Sequence, residues 1–137
     1  MNVVLDTNVI VAALRSRHGA SNAVIRRLAN GEYDASASTA LILEYEAVLL
    51  RPGMIPDYSA AEIDEFLDSI CAVMREAFIY FRWRPFLPDP KDDLVFECAL
   101  ASGASYIVTH NIRDFPDLQP FGVSVLTPLE LLRILTS

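Results

Sequence analysis

Acidic side chains interrupt apolar segments at three places along this 137-residue chain. Asp6 follows the apolar run Val3–Leu5, Glu44 lies within a helix-like segment, and Asp92 stands near the start of another. An acid at the end of a buried strand lies at the edge of a parallel sheet where ligands bind, although it can also cap the next helix. If the three acids converge, they favour Mg²⁺ or Mn²⁺, because hard cations prefer oxygen ligands.

Glu44 is the most unusual of the three acids. The three- and four-residue spacing of a helix places it on one face with apolar residues, namely Leu41, Tyr45, Val48 and Leu49. An acid on such a face must be paired, neutralised or bound to a cation. The alternative is a boundary residue whose carboxylate reaches water.

Asp92 belongs to the acidic run 89–93. Asp89 before Pro90 is typical of a helix N-cap, and Asp92 in the first helical turn could simply favour the helix dipole. By itself, such a cluster more often has a structural role. It indicates a metal site only in combination with Asp6 and Glu44.

A fourth group of polar residues follows a second apolar segment. Thr109 ends that segment as Asp6 ends the first, and Asn111 can offer a neutral oxygen to a metal or to a water. Asp114 follows three residues later. His110 is a ligand, a phosphate contact or an exposed side chain, and we favour exposure.

The chemistry that needs clustered carboxylates and a divalent cation is phosphodiester hydrolysis. One cation activates water, and a second, roughly 3.5–4 Å away, steadies the leaving oxygen. Without a cation the carboxylates repel one another, which raises their pKa values.

Short apolar strands alternate with helices along the chain, which predicts an α/β fold with a parallel sheet covered by helices on both faces. The expected strands are Asn2–Leu5, Tyr33–Ala37, Phe78–Trp83, Ser105–Thr109 and Val123–Leu126. The expected helices are Asn8–Leu14, Ala20–Ala29, one from a cap at Ser38 or Thr39 through Leu50, one from a capping box at Ser59 to about Glu76, one from Asp89 to about Ser102, and one that begins at Thr127. We find no linker, so residues 1–137 are expected to form a single domain.

Composition limits the class of protein. Hydrophobic residues make up 53% of the chain, which argues against disorder, and no apolar run approaches the roughly 20 residues that span a bilayer. The N-terminus lacks the features of a signal peptide. Cys71 and Cys98 have no CxxC spacing, so we expect buried thiols and a cytoplasmic protein.

The net charge of −7 opposes long-range attraction of nucleic acid, but the charges are unevenly distributed. A basic stretch near the N-terminus provides candidate phosphate contacts: Arg15, Arg17, His18, Arg26 and Arg27. Arg82, Trp83 and Arg84 form a second cluster, in which Trp83 could stack on a base. The alternative for both clusters is ordinary surface charge beside a half-buried Trp83.

Four segments in this order resemble the PIN domain: VVLDTNVIVAAL at 3–14, STALILEYEAVL at 38–49, DPKDDLVFECALASGASYIVT at 89–109 and HNIRDF at 110–115. They are similar to the bacterial toxins of toxin–antitoxin pairs related to VapC. The resemblance implies a three-layer α/β/α fold with a five-stranded parallel sheet of order 3-2-1-4-5. It also implies Mg²⁺- or Mn²⁺-dependent cleavage of RNA, a homodimer and a cognate antitoxin protein.

The resemblance makes Asp6, Glu44 and Asp92 the catalytic and metal-binding acids. It gives supporting polar roles to the neighbouring positions Thr7, Asn8, Ser38, Asp93 and Thr109. Many PIN domains carry a fourth acid where this chain has Asn111, so we expect a single strongly bound Mg²⁺. Asp114 could assist there through a water.

Other functions remain compatible with part of the pattern. A receiver-like signalling domain also uses acids and Mg²⁺ but needs a pair of acids after the first strand and a lysine near the last, which this chain lacks. A catalytically degenerate PIN fold that binds RNA or protein is favoured by Asn111 alone. A housekeeping RNA-processing or DNA-directed nuclease would use the same chemistry.

Overall fold

The computed structural model describes residues 1–79, 87 and 89–137 of the chain. Five parallel strands form one sheet of order β3-β2-β1-β4-β5, which confirms the predicted topology. The strands are β1 (Asn2–Leu5), β2 (Asp34–Ala37), β3 (Arg75–Glu76), β4 (Tyr106–Val108) and β5 (Ser124–Leu126).

Within the described residues, six α-helices connect and follow the strands: α1 (Thr7–Arg15), α2 (Ala20–Ala29), α3 (Thr39–Leu49), α4 (Ala60–Val73), α5 (Pro90–Ser102) and α6 (Pro128–Thr136). Their ends follow from local chemistry. Ser59 and Thr127 each form a capping box with the glutamate three residues on, and Asp89 caps α5 ahead of Pro90. Gly103 ends α5 in the left-handed conformation that glycine adopts without steric cost.

The expected boundary between α4 and the third strand is wrong. The sequence pattern extends the helix to about Glu76, whereas α4 ends at Val73 and Arg75–Glu76 pair with Ser36 and Ala37 of β2. Pairing with the open edge of β2 overrides the local helix propensity of these residues. The third strand therefore precedes Phe78–Trp83, of which Phe78 and Ile79 lie outside any strand and 80–83 lie outside the described residues.

Strand β1 lies at the centre of the sheet, and Val3, Val4 and Leu5 are fully buried. Helix α5 packs on β1, β2 and β4, while α6 packs on α2. The strand order runs from β1 to β3 in one direction and then returns past β1 to β4. Because parallel crossovers are right-handed, α5 covers the face opposite the helices that connect β1, β2 and β3.

The strand order reverses between β1 and β4, and this is where ligands bind in open parallel sheets. Asp6 follows β1 and Thr109 follows β4, so both lie at this reversal. The two 3₁₀ turns at Ile112–Asp114 and Gln119–Phe121 lie between β4 and β5 and were not anticipated from the sequence.

The two cysteines differ in their surroundings. Cys98 is buried in α5, as predicted, but Cys71 is exposed on α4, which corrects the expectation of two buried thiols. In the described part of the chain, no helix combines the length and hydropathy needed to cross a bilayer.

Candidate metal-binding active site

The carboxylate of Asp6 is held by donors from both sides of the strand-order reversal. Its Oδ1 accepts a hydrogen bond of 2.7 Å from the Thr7 backbone N–H, and its Oδ2 accepts one of 2.8 Å from the Thr109 hydroxyl. Asp6 therefore begins α1 as its N-cap and at the same time is fixed against β4. Asp6 can therefore serve both as a structural helix cap and as a functional carboxylate of the site, because its carboxylate has two oxygens.

Asn8 extends this connection. Its side-chain amide donates to Thr109 Oγ1 at 3.1 Å and to Asp6 Oδ2 at 3.4 Å, and its oxygen accepts from the backbone N–H of His110. The side chain of His110 is exposed, as expected, and its Nε2 shares a hydrogen bond of 2.7 Å with the hydroxyl of Ser21 at the start of α2. These bonds fix the loop after β4 beside Asp6.

Glu44 projects from α3 into the same region. Its helical face is formed by buried residues such as Leu41 and Tyr45, as the spacing predicts, and its side chain is only 18% exposed. Glu44 Oε1 is buried and accepts no hydrogen bond from any described residue. The ammonium of Lys91 lies 3.8 Å away, which is too far for a hydrogen bond.

The first turn of α5 supplies the remaining acids. Asp92 is 8% exposed, and Asp89 caps the helix by accepting from the Lys91 backbone N–H. Residues from four parts of the chain thus line one cavity of about 180 Å³: Asp6, Thr7, Asn8, Glu44, Val48, Asp89, Lys91, Asp92, Asn111 and Asp114. We call this cavity the acidic pocket.

The pKa values of two carboxyls reflect the charge in the acidic pocket. Burial, followed by the negative charges of neighbouring acids, Asp6 foremost, raises the pKa of Asp92 to about 7. Burial also raises the pKa of Asp6 above its usual range, although the hydrogen bonds from Thr109 and Thr7 act in the opposite direction. The pocket therefore favours either a proton or a cation on its carboxylates.

The donor set fits Mg²⁺ or Mn²⁺ in kind. Asp6, Glu44 and Asp92 provide oxygen ligands, and the unpartnered Glu44 Oε1 is the type of buried atom that a cation satisfies. As the side chains of residues 1–79, 87 and 89–137 are placed, no three acidic, histidine or cysteine groups are close enough together to hold one ion. Binding therefore requires the carboxylates to turn towards a common point.

Three of the expected supporting residues do not line the acidic pocket. Ser38 is buried and accepts a hydrogen bond of 3.1 Å from the Leu41 N–H, so it caps α3. Asp93 is buried and accepts a hydrogen bond of 2.9 Å from the Leu87 N–H, which connects Leu87 to the first turn of α5. Thr109 is fully buried behind Asp6 and is connected to the pocket by its hydrogen bonds with Asp6, Asn8 and Asn111.

The candidate phosphate-binding arginines lie in different places. Arg27 pairs with Glu32 at 2.7 Å and donates to the Leu135 carbonyl. Because Glu32 comes just before β2 begins, Arg27 lies at the amino edge of the sheet, opposite the acidic pocket. Its neighbour Arg26, on the same last turn of α2, bonds Asn22.

Arg15 is the last residue of α1, Arg17 lies between α1 and α2, and both are exposed. Arg15 donates to the Met54 carbonyl at 2.9 Å. Arg17 comes four residues before Ser21, which bonds His110 beside the acidic pocket. The cluster of Arg82, Trp83 and Arg84 lies outside the described residues.

Sequence reasoning missed two charged residues of the acidic pocket. The sequence predicts only a cap at Asp89, which caps α5 and also lines the pocket. Lys91 was given no role at the site, although it is the only lysine of the chain and stands within an acidic run. That isolation among acids is the signal that could have identified it.

The fold and the pocket define a class of protein: an open parallel α/β sheet with acidic residues clustered where the strand order reverses. The model of the PIN domain family matches residues 2–113, so the chain belongs to the PIN domain family. A search of curated protein sequences finds no significant match.

A solved structure with the same fold is that of VapBC2 from Rickettsia felis bound to a DNA fragment from its promoter. The TM-score is 0.63 at 15% sequence identity, and the superposition covers 93% of this chain and 98% of the other. At this identity the likeness establishes the fold.

Proposed function

We propose that this chain is a cytoplasmic, metal-dependent endoribonuclease and the toxin component of a toxin–antitoxin pair. The observation that carries the proposal is the acidic pocket, where Asp6, Glu44 and Asp92 line one cavity and Glu44 Oε1 is buried without a hydrogen-bond partner among the described residues. Membership of the PIN domain family supports nuclease chemistry at this position.

Asp6, Glu44 and Asp92 would hold Mg²⁺ or Mn²⁺, which, when bound, activates water for attack on a phosphodiester and stabilises the developing charge. The residues around them prepare the site. Thr109 and Asn8 hold Asp6 Oδ2 in place, so that one ligand is positioned before the cation arrives. Asn111 and Asp114 lie on the exposed side of the pocket, where they can orient a water or a substrate oxygen.

Substrate binding is proposed to use the exposed arginines at and just after the end of α1. Arg17 is exposed and follows α1, the helix that begins at Asp6. Arg15 is equally exposed, but its Nε already donates to the Met54 carbonyl. Cations at Arg15 and Arg17 would hold RNA phosphates beside a chain whose net charge of −7 otherwise repels them.

A cognate antitoxin and a homodimer complete the proposal. The chain shares its fold with a protein from a VapBC2 complex, and an acidic cavity attracts the basic side chains of a partner. Light scattering on the purified chain, with and without the co-expressed partner, measures both assemblies. A monomeric mass across the accessible concentration range would contradict the dimer.

The test is cleavage of a mixed, fluorescently labelled RNA pool in Mn²⁺, in Mg²⁺ and in EDTA, beside an Asp6→Asn control purified identically. Cutting that needs the cation and is absent from the variant supports the nuclease. A preparation that cuts only after denaturing purification and refolding indicates a co-purified inhibitor. No cutting and no thermal response to the cation would favour a degenerate PIN fold, for which Asn111 in the pocket is the structural argument.

A further inference from the structure

One ammonium lies among the carboxylates that line the acidic pocket. Lys91 Nζ is 3.8 Å from Glu44 Oε1, and the side chain of Lys91 is 54% exposed, against 18% for Glu44. The side chains of Lys91 and Glu44 therefore differ in how freely they can move. The carboxylate is held within the protein, whereas the lysine stem extends into solvent and can move the ammonium away.

The contact between the two groups is electrostatic only. The distance exceeds that of a hydrogen bond, and Glu44 Oε1 accepts none from any other described residue. Lys91 offsets the charge of Glu44 but does not satisfy its buried oxygen. A group that coordinates the oxygen directly would therefore replace the ammonium with a net gain in interaction.

Local helix physics gives no reason for a lysine at this position. Lys91 is the second residue of α5, where the helix dipole disfavours a positive charge. The favourable surroundings are the acids around it, with Glu44 across the pocket and Asp89 and Asp92 on either side in the chain. The placement is therefore explained by the pocket and not by the helix.

We propose that Lys91 is a tethered counter-ion that competes with the divalent cation for Glu44. The proposal rests on the proposed function, because it takes Glu44 as a metal ligand. Lys91 neutralises part of the pocket before the cation binds, and the ammonium moves into solvent when the cation takes its place. The affinity of the chain for divalent cations is then lower than its carboxylates alone would give.

The experiment is a titration with Mn²⁺ alone, in which electron paramagnetic resonance counts the free ion, on the full chain at low ionic strength. Lys91→Met keeps the apolar stem and removes the charge, and Lys91→Gln repeats the test with a polar replacement. Lys91→Arg retains the charge. Arg133→Gln removes one exposed positive charge from α6, outside the acidic pocket, and is the control for net charge.

We expect Lys91→Met and Lys91→Gln to bind Mn²⁺ about fivefold more tightly than wild type, which corresponds to one unit charge near 4 Å in a water-like dielectric. Lys91→Arg and Arg133→Gln should bind as wild type does. Added KCl should reduce the difference, because exposed charges are screened.

Equal or weaker binding by the uncharged variants overturns the inference while leaving the metal site intact. An equal gain in Arg133→Gln also overturns it, since the effect would then be one of net charge. If neither wild type nor any variant binds Mn²⁺, the proposed function fails and the inference fails with it. These results therefore separate failure of the inference from failure of the proposed function.

Discussion

Asp6 illustrates how one residue meets opposing demands. Its carboxylate accepts hydrogen bonds from Thr7, Thr109 and Asn8, which favour the charged form. Its burial favours the neutral form, and burial is the larger effect, because the pKa of Asp6 lies above its usual range. A cation would reverse the balance by interacting only with the charged form.

This balance predicts the behaviour of Asp6→Asn. Without a cation, the variant should melt at the temperature of wild type or above it, since an amide retains an acceptor and removes a buried charge. With Mn²⁺ at about 100 times its Kd, wild type should gain roughly 2.7 kcal/mol of stability, and the variant should lose most of that gain. Differential scanning fluorimetry with and without Mn²⁺ measures both effects.

One result would contradict this prediction for metal-free Asp6→Asn. If the metal-free variant melts several degrees below wild type, the hydrogen bonds of Asp6 outweigh its desolvation and its role is structural. Asp64→Asn, at an exposed carboxylate on α4, controls for the change of charge.

Asp92 predicts how stability depends on pH. Its pKa is raised from 3.8 to about 7 in the folded chain, chiefly by burial and then by Asp6, so the folded state binds this proton more tightly than the unfolded state. The stability that protonation contributes is fully present below about pH 4 and is lost as the pH rises through 7. The metal-free melting temperature should therefore fall across this range.

Asp92→Asn should flatten this dependence, because the amide does not titrate. Melting curves between pH 4 and pH 8 in EDTA, for wild type and variant, measure the slope. If the melting temperature of wild type instead rises steadily between pH 4 and pH 8, ionisable groups other than Asp92 determine how stability depends on pH.

At the scale of the element, different residues begin helix α3 and line the acidic pocket. Ser38 begins the helix by accepting the Leu41 N–H, and Glu44, one and a half turns later, enters the acidic pocket. The sequence resemblance assigned Ser38 a place near the metal. Its observed bond makes it the N-cap of α3, the helix that carries Glu44, and a place near the metal stays a prediction.

This separation makes Ser38→Ala informative. Loss of the cap should destabilise the chain by about 1 kcal/mol in urea denaturation. Ser38→Asn, which can also cap, should recover most of that loss. The Mn²⁺ affinity of Ser38→Ala should stay within about twofold of wild type, because a cap removed from α3 takes no ligand away. A large loss of affinity at unchanged stability would instead place Ser38 beside the cation.

Helix α5 shows a further division within an acidic run. Asp89 caps the helix, Asp92 faces the pocket, and Asp93 is turned inward to accept the Leu87 N–H. Adjacent aspartates point about 100° apart on a helix, so neighbours in sequence serve different structures. Asp92 therefore lines the acidic pocket and Asp93 does not, while the role of Asp92 as a metal ligand stays a prediction.

At the scale of the whole molecule, individual basic side chains lie at different edges of the sheet. The acidic pocket occupies the carboxyl edge of the sheet, and Arg27 is engaged with Glu32 at the amino edge. Net charge alone therefore does not describe how RNA would approach. The position of each cation relative to the pocket decides whether it can contact a bound phosphate.

Two arginines test this distinction. Arg17→Gln should weaken RNA binding several-fold and reduce the salt slope by about one, because one phosphate contact is lost. Arg27→Gln should leave RNA binding unchanged but lower the free energy of unfolding by roughly 1 kcal/mol, since its hydrogen bonds to Glu32 and Leu135 are lost. Fluorescence anisotropy in EDTA and urea denaturation provide the two measurements. If both variants lose the same RNA affinity, the position of an arginine relative to the acidic pocket does not decide whether it contacts RNA.

The sequence by itself determined the elements whose signals are local. Capping residues at Ser59, Asp89 and Thr127 gave the helix starts, and apolar runs gave strands β1, β2, β4 and β5 to within two residues at either end. Likewise, an acid after a buried strand and an acid on an apolar helical face were sufficient to single out Asp6 and Glu44. These features depend on backbone hydrogen bonding and hydrophobic periodicity, which neighbouring residues specify.

Only the tertiary structure decided what depends on contacts between distant segments. Pairing with β2 placed β3 at Arg75–Glu76, against local propensity. The packing of α3 against α5 brought Lys91 to Glu44, and the meeting of β1 and β4 gave Asp6 its bond from Thr109. Such contacts join residues 39 to 103 positions apart in the chain, and no local pattern specifies them, because their free energy arises only when the sheet has formed.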